Sequence, residues 1–231
     1  MKVKSVILLV TAVVVCMTMS ASADPFTVAY STVAPGQDYN FSLNYGGSYS
    51  GTRAGIYNLT ISQTDLGDMV TDGEYDSFCI DVWDTAGTST DYRDVVLEDA
   101  PDYFSDGMGS VKASKIAYLL DSYWNDLYLT GPDANKNAAA LQLVVWEIVS
   151  ESTATYGLTS GSFRAYASNN AARDQADIWL SSLGSGNVGN YIAVTSTSKQ
   201  DYVVKVPVPG AVLLGLLGLG YAGMKLRRRC D

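Results

Sequence analysis

Ala138-Ala139-Ala140-Leu141-Gln142-Leu143-Val144-Val145-Trp146-Glu147-Ile148-Val149 is apolar on almost every side of a helix, so it belongs between other elements rather than on a surface. Pro132-Asp133 precedes it, and Asp133 is a suitable N-cap, which predicts a helix from Ala134 to about Ser150. Gln142 is the exception in the run. At helical spacing it shares a stripe with Ala138, Val145 and Val149, so its amide projects from an apolar face. An unpaired buried amide costs about 1–3 kcal/mol, and a partner is therefore expected.

On either side of this helix the period holds for a further element. Val111, Ile116, Leu119 and Leu120 lead to Tyr123-Trp124 and predict a helix from Ser110 that ends before Gly131-Pro132-Asp133. Another is expected from near Ala165 to Leu183, carrying Ala171, Ala176 and Trp179 and stopping at Gly184-Ser185-Gly186. Upstream the pattern alternates instead: Phe26 to Tyr30, Tyr39 to Leu43 and Ile56 to Ile61 read as strands, separated by turns at Pro35-Gly36, Gly46-Gly47 and Gly51. Phe78-Cys79-Ile80-Asp81-Val82-Trp83 reads as a central strand, and Tyr191–Val194 and Tyr202–Val206 as two closing strands. The fold expected is α+β, an antiparallel β framework with an inserted bundle of about three helices.

The two ends have a different character. Lys2 and Lys4 precede an apolar run from Val6 to Val15, and Ala21-Ser22-Ala23 precede Asp24-Pro25, the order of a cleavable signal peptide over residues 1–23 with the cut between Ala23 and Asp24. At the other end, Pro207-Val208-Pro209-Gly210 opens an uncharged segment to Met224, followed by Lys225, Arg227, Arg228 and Arg229. A helix over 207–224 is long enough to span a bilayer of about 30 Å, and the basic residues beyond it stay cytoplasmic. The expected plan is a signal helix, an exported domain over 24–205 and a membrane-held tail over 206–231.

Composition excludes several function classes. Residues 24–210 hold 9 basic against 23 acidic side chains, a net charge of −14, which repels nucleic acid. The chain has no His, which removes His-based triads and His-based metal sites. Cys16 and Cys230 lie in the end segments, so Cys79 is the lone cysteine of the exported part and closes no internal disulfide. Two readings of Cys79 and Gln142 follow. In one, Gln142 bonds backbone groups and Cys79 packs in the core. In the other, the Cys79 sulfur attacks the Gln142 side-chain carbonyl, ammonia leaves, and an internal thioester remains as an electrophile for an amine or hydroxyl.

The last 26 residues resemble a PEP-CTERM sorting signal, the exosortase-processed tail of Gram-negative bacterial exoproteins, with Pro207-Val208-Pro209 in place of Pro-Glu-Pro. That resemblance implies cutting near Pro209 and Gly210 by an exosortase-type enzyme, after an inner-membrane-anchored precursor, and delivery to the cell surface, the medium or an exopolysaccharide. Over roughly residues 50–185, Phe78-Cys79, Ile116-Ala117-Tyr118-Leu119-Leu120 and Ala140-Leu141-Gln142-Leu143-Val144-Val145-Trp146 are similar to the thioester domain of bacterial surface adhesins. That family's Thr-Gln-x-Ala-Ile-Trp motif is matched at Gln142, Val145 and Trp146, with Leu141 in place of Thr and Val144 in place of Ala. The resemblance implies a Cys79–Gln142 cross-link in a pocket that includes Phe78 and Trp146, and a surface amine or hydroxyl as its target. The alternative is a non-covalent structural or exopolysaccharide-associated exoprotein.

Other candidates carry less. Asp65, Asp68, Asp72, Glu74 and Asp76 form an acidic loop without the spacing of a calcium-hand loop and read as a solvated face. Tyr39, Tyr45 and Tyr49 suit either sugar stacking or half-buried strand positions. Asp81 and Glu147 are a pair of carboxylates outside any hydrolase motif. No enzyme activity, cofactor or metal is expected.

Overall fold

The computed structural model describes residues 24–43, 47–65, 68–101, 105–152, 155–166 and 171–206. The signal segment with its Ala23–Asp24 junction, apart from Asp24 itself, lies outside these residues, as do Pro207 to Gly210, the expected membrane span and the basic Lys225, Arg227, Arg228 and Arg229. No helix among the described residues is long and apolar enough to cross a membrane.

Among the described residues, seven antiparallel strands are interrupted by helices: β1 (Phe26–Leu43), β2 (Gly47–Ser62), β3 (Gly73–Cys79), β4 (Ser89–Val96), α1 (Gly109–Tyr123), α2 (Asp126–Leu129), α3 (Ala134–Ser150), β5 (Phe163–Tyr166), α4 (Ala171–Ser181), β6 (Tyr191–Thr195) and β7 (Tyr202–Lys205). The sheet order is β2-β3-β7-β6-β4-β1-β5, and β1 also pairs with β2. That last pairing closes β1, β2, β3, β7, β6 and β4 into a barrel, which leaves none of those strands with an open edge along its whole length.

The long β1 does two jobs. Phe26 and Val28 pair with β4 inside the ring, whereas Asn40 to Leu43 pair with β5 outside it. Pro35-Gly36 and Gly51, expected to end strands, are instead absorbed within them. β1 and β2 run past each other with a register shift between Val33 and Gly36, and Gly36 sits opposite Gly55. The backbones are so close there that a Cβ on Gly55 would lie 2.2 Å from Pro35 O and one on Gly36 would lie 2.5 Å from Ala54 O. Glycine is required by this approach, which lets one strand bend where the sequence pattern suggested two.

α3 lies across the β1–β2–β5 extension, and every residue from Asn137 to Val149 is buried, as the all-round apolar pattern requires. Trp146 meets Phe41 and Phe163 at centroid distances of 5.3 and 6.0 Å, and these rings fasten the helix to β1 and β5. Asp133 does not cap α3 through its side chain; its carboxylate lies 3.2 Å from Lys136 Nζ. At the same end Asn135 Oδ1 accepts from Gly36 N at 3.0 Å, tying α3 to the β1 bend.

Three boundaries differ from expectation. The central strand ends at Cys79 rather than Trp83, because Asp81 Oδ1 accepts from Trp83 N at 2.9 Å and turns the chain. Residues 163–166 form β5 rather than the start of a helix, since Phe163 and Ala165 alternate inward beside β1. The helix expected from Ser110 up to Gly131 divides after Tyr123, since Asn125 Oδ1 accepts from Leu127 N at 3.1 Å and caps α2 as a separate helix.

Candidate functional site

Cys79 stands where the barrel wall loses a strand. β3 pairs with β2 only as far as Ser77 opposite Tyr57, whereas on its other side Cys79 still faces Tyr202 of β7. Ile80 N donates to Asp201 O at 2.9 Å, so the neighbouring peptide group points to β7 and that of Cys79 points to the vacated β2 side. Two buried backbone groups are left there to be satisfied.

Gln142 satisfies both. Cys79 N donates to Gln142 Oε1 at 2.9 Å, and Gln142 Nε2 donates to Cys79 O at 2.7 Å. The carboxamide thus takes the place of a strand residue, with the donor and acceptor of an antiparallel hydrogen-bonded pair on one side chain. The buried partner expected for Gln142 is the backbone of Cys79, 63 residues away in sequence. Cys79, Gln142, Phe78 and Trp146 are all fully buried.

The sulfur has its own surroundings. Cys79 Sγ donates to Asp81 O at 2.8 Å. Burial pushes the thiol well above its usual range and the nearby Asp81 charge adds to this, while the Trp146 indole N–H and the Asp81 backbone oppose it. The thiol is therefore neutral near pH 7. Among the described residues Trp146 Nε1 makes no hydrogen bond of normal geometry, but it acts on the sulfur. Phe78 points the other way, edge-on to Trp124 at 5.1 Å, so it supports the site from behind rather than lining the sulfur.

Three tyrosines accompany Cys79. Tyr57 and Tyr202 rings are 5.4 Å apart and Tyr92 and Tyr202 rings 6.3 Å apart. Burial, then the charge that Cys79 would carry, raise the hydroxyls of Tyr57 and Tyr202, while for Tyr92 the Asp201 charge ranks between them. Tyr92 donates to Gln200 O at 2.9 Å and Tyr57 to Arg53 O at 3.3 Å, whereas the Tyr202 hydroxyl, which makes no hydrogen bond of normal geometry among the described residues, is set against the Tyr92 hydroxyl and opposes the rise of that phenol. These phenols are invisible in the sequence as a group, since only strand pairing assembles them; alternation around Tyr202 was the sole available signal.

The remaining candidates scatter. Asp81 serves the turn after β3, whereas Glu147 accepts from Gly157 N at 2.6 Å beside Glu151, so these carboxylates work in separate places. Burial raises Glu147 to about 8, and its Oε2 is buried without a partner. In the acidic loop, Asp72 accepts from Thr64 N and Oγ1, Asp68 from Asp65 N and Asp76 from Asn58 Nδ2. Among the described residues no group of His, Cys, Asp and Glu is placed to hold a metal ion. Tyr39 is 2% exposed and cannot stack on a sugar; the side chains of Tyr45 and Tyr49 lie outside the described residues. No protein-family model, curated protein or solved structure matches the chain.

Proposed function

We propose that this is an exported cell-envelope protein in which Cys79 and Gln142 close an internal thioester that attaches the protein covalently to a surface amine or hydroxyl. The observation that carries the proposal is the Gln142 carboxamide held against Cys79 with its Oε1 on the Cys79 N–H. Negative charge grows on that oxygen when sulfur attacks the carbonyl carbon, and a fixed N–H already points at it. The step balances within the site: the S–C bond forms, the C–N bond breaks, the thiol proton goes to the departing nitrogen, and ammonia leaves. Full burial shields the product from water.

The terminal segments support the setting: a signal peptide over 1–23, and a tail over 206–231 that holds an inner-membrane precursor until an exosortase-type enzyme cuts near Pro209 and Gly210. The net charge of −14 over 24–210 favours solubility outside the cell and disfavours nucleic acid. Intact mass of the secreted protein tests the thioester: it is expected about 17 Da below the sequence mass, with Cys79→Ala restoring the full value. A full-mass wild-type chain refutes it.

A second reading has its own support, because the two hydrogen bonds to Cys79 are enough by themselves to account for a buried glutamine. The protein is then a non-covalent structural or exopolysaccharide-associated exoprotein. It predicts full mass and a titratable thiol after unfolding.

A further inference from the structure

We propose that residues 155–162 form a proton-operated strap, held shut over the C-terminal end of α3 while Glu147 is protonated and released as its carboxyl ionises. The strap has no regular secondary structure, and what fixes it is a row of carboxylates that accept from its backbone. Glu147 Oε1 accepts from Gly157 N at 2.6 Å, Asp177 of α4 takes the Leu158 N–H, and Glu151 Oε1 accepts from Ser162 N and, at 3.2 Å, from Phe163 N. The fit is close: Gly161 has φ +92°, and a Cβ there would run into the Glu151 carboxylate. Leu158 is fully buried, and its carbonyl accepts from Ala165 N at 2.9 Å.

Glu147 is the deepest of these acids. It is fully buried, and its Oε2 has no hydrogen-bond partner among the described residues. A negative charge in that position is costly, and Glu151 and Asp177 add like charge to it. The basic groups of the region are engaged elsewhere. Lys112 of α1 donates to Val149 O at 2.7 Å and acts on Glu151, and Lys115 Nζ lies 5.6 Å over the Tyr156 ring. Arg173 of α4 acts on Asp177, where Asp174 opposes it, and Arg164 of β5 donates to Gly161 O at 3.3 Å. Tyr156 stays neutral, raised by burial and then by Glu147 and Glu151.

Burial, which outweighs the opposing Gly157 N–H, brings Glu147 to about 8 with the strap shut, whereas a carboxyl facing water sits at about 4.3. The shut form is therefore fully favoured below about 4.3, and its advantage falls about tenfold for each pH unit from there to about 8. Asp177, also raised by burial, works in the same direction. The strap runs into Phe163, whose ring meets Trp146 at 6.0 Å, so its release loosens the packing beside the Cys79 sulfur.

Amide hydrogen exchange of the secreted protein tests this, with each rate divided by the intrinsic rate at the same pH so that protection reports opening. The Gly157 and Ser162 amides are expected to be at least about a hundredfold less protected than those of Ala193 and Val203 in β6 and β7, because the strap opens without the barrel. Their protection is expected to fall about tenfold per pH unit between about pH 5 and 8. Glu147→Gln keeps an acceptor for Gly157 N and removes the ionisation, so it is expected to flatten that fall. Strap amides as protected as those of β6 and β7, or an unchanged slope in Glu147→Gln, overturn the proposal. Should Glu147→Gln not fold, Asp177→Asn, which removes one neighbouring charge at the surface of α4, is expected to move the end of the fall to lower pH, and an unmoved profile overturns the proposal.

Discussion

Replacing Gln142 by Leu in a Cys79→Ala background isolates the structural work of the amide from any covalent bond. The alanine keeps the residue-79 N–H and C=O but cannot form a thioester, and leucine fills nearly the same volume as glutamine. What is lost is the pair of hydrogen bonds of 2.9 and 2.7 Å, leaving one donor and one acceptor buried at the end of β3. At about 1–3 kcal/mol for each orphaned group, the loss is about 2–6 kcal/mol. That is a large share of the ~5–15 kcal/mol that holds an ordinary domain together. Urea unfolding is the suitable assay: with a slope of about 2 kcal/mol/M, the midpoint should fall by about 1–3 M at unchanged slope. A fall below about 0.5 M would mean that β3 finds another partner on its open side and that Gln142 is not its surrogate strand.

Glu147→Gln should remove a pH dependence. The Glu147 carboxyl sits at about 8 when folded, above its unfolded value of about 4.3, so its protonated form is favoured by folding and stability declines as pH rises between those values; urea midpoints against pH should be flatter in the variant, and an equal slope contradicts this. Asp91 behaves oppositely: burial works to raise it, but the hydroxyls of Ser89, Ser196 and Thr197 outweigh burial and hold it at about 2. Its contribution is present above the unfolded value of about 3.9 and is lost as pH falls towards 2, so Asp91→Asn should reduce the acid sensitivity of the melting temperature over that window. Gly55→Ala puts a Cβ 2.2 Å from Pro35 O, and a destabilisation of about 1–3 kcal/mol or more by thermal melting is expected; a neutral result contradicts the close crossing of β1 and β2.

Local pattern was informative where burial follows period. The all-round apolar run from Ala138 to Val149 places α3 as observed, and the alternation at 191–194 and 202–206 places β6 and β7 to within a residue or two. It misled where backbone closeness overrides turn chemistry: Pro35-Gly36 looks like a stop, yet the facing Gly55 makes it a bend within β1. β4 carries Asp91, Arg93 and Asp94 and shows little apolar alternation, so only its pairing with β6 and β1 identifies it as a strand. β5 is four residues long and was overshadowed by the helical spacing that follows it.

For the site, a glutamine on an apolar helical stripe was enough to demand a partner, and a lone cysteine was enough to raise the question of chemistry. That the partner is the cysteine's own backbone was not legible, because it depends on where β2 stops pairing with β3. The tyrosines around the sulfur depend likewise on strand order, which places β7 beside β3 although more than 120 residues separate them.

The most direct measurement is the intact mass of the secreted protein, compared before and after treatment with methylamine. A chain about 17 Da light that gains about 31 Da on treatment is expected, with the added group on residue 142 and a thiol released at Cys79. A chain of full mass that methylamine leaves unchanged contradicts the thioester.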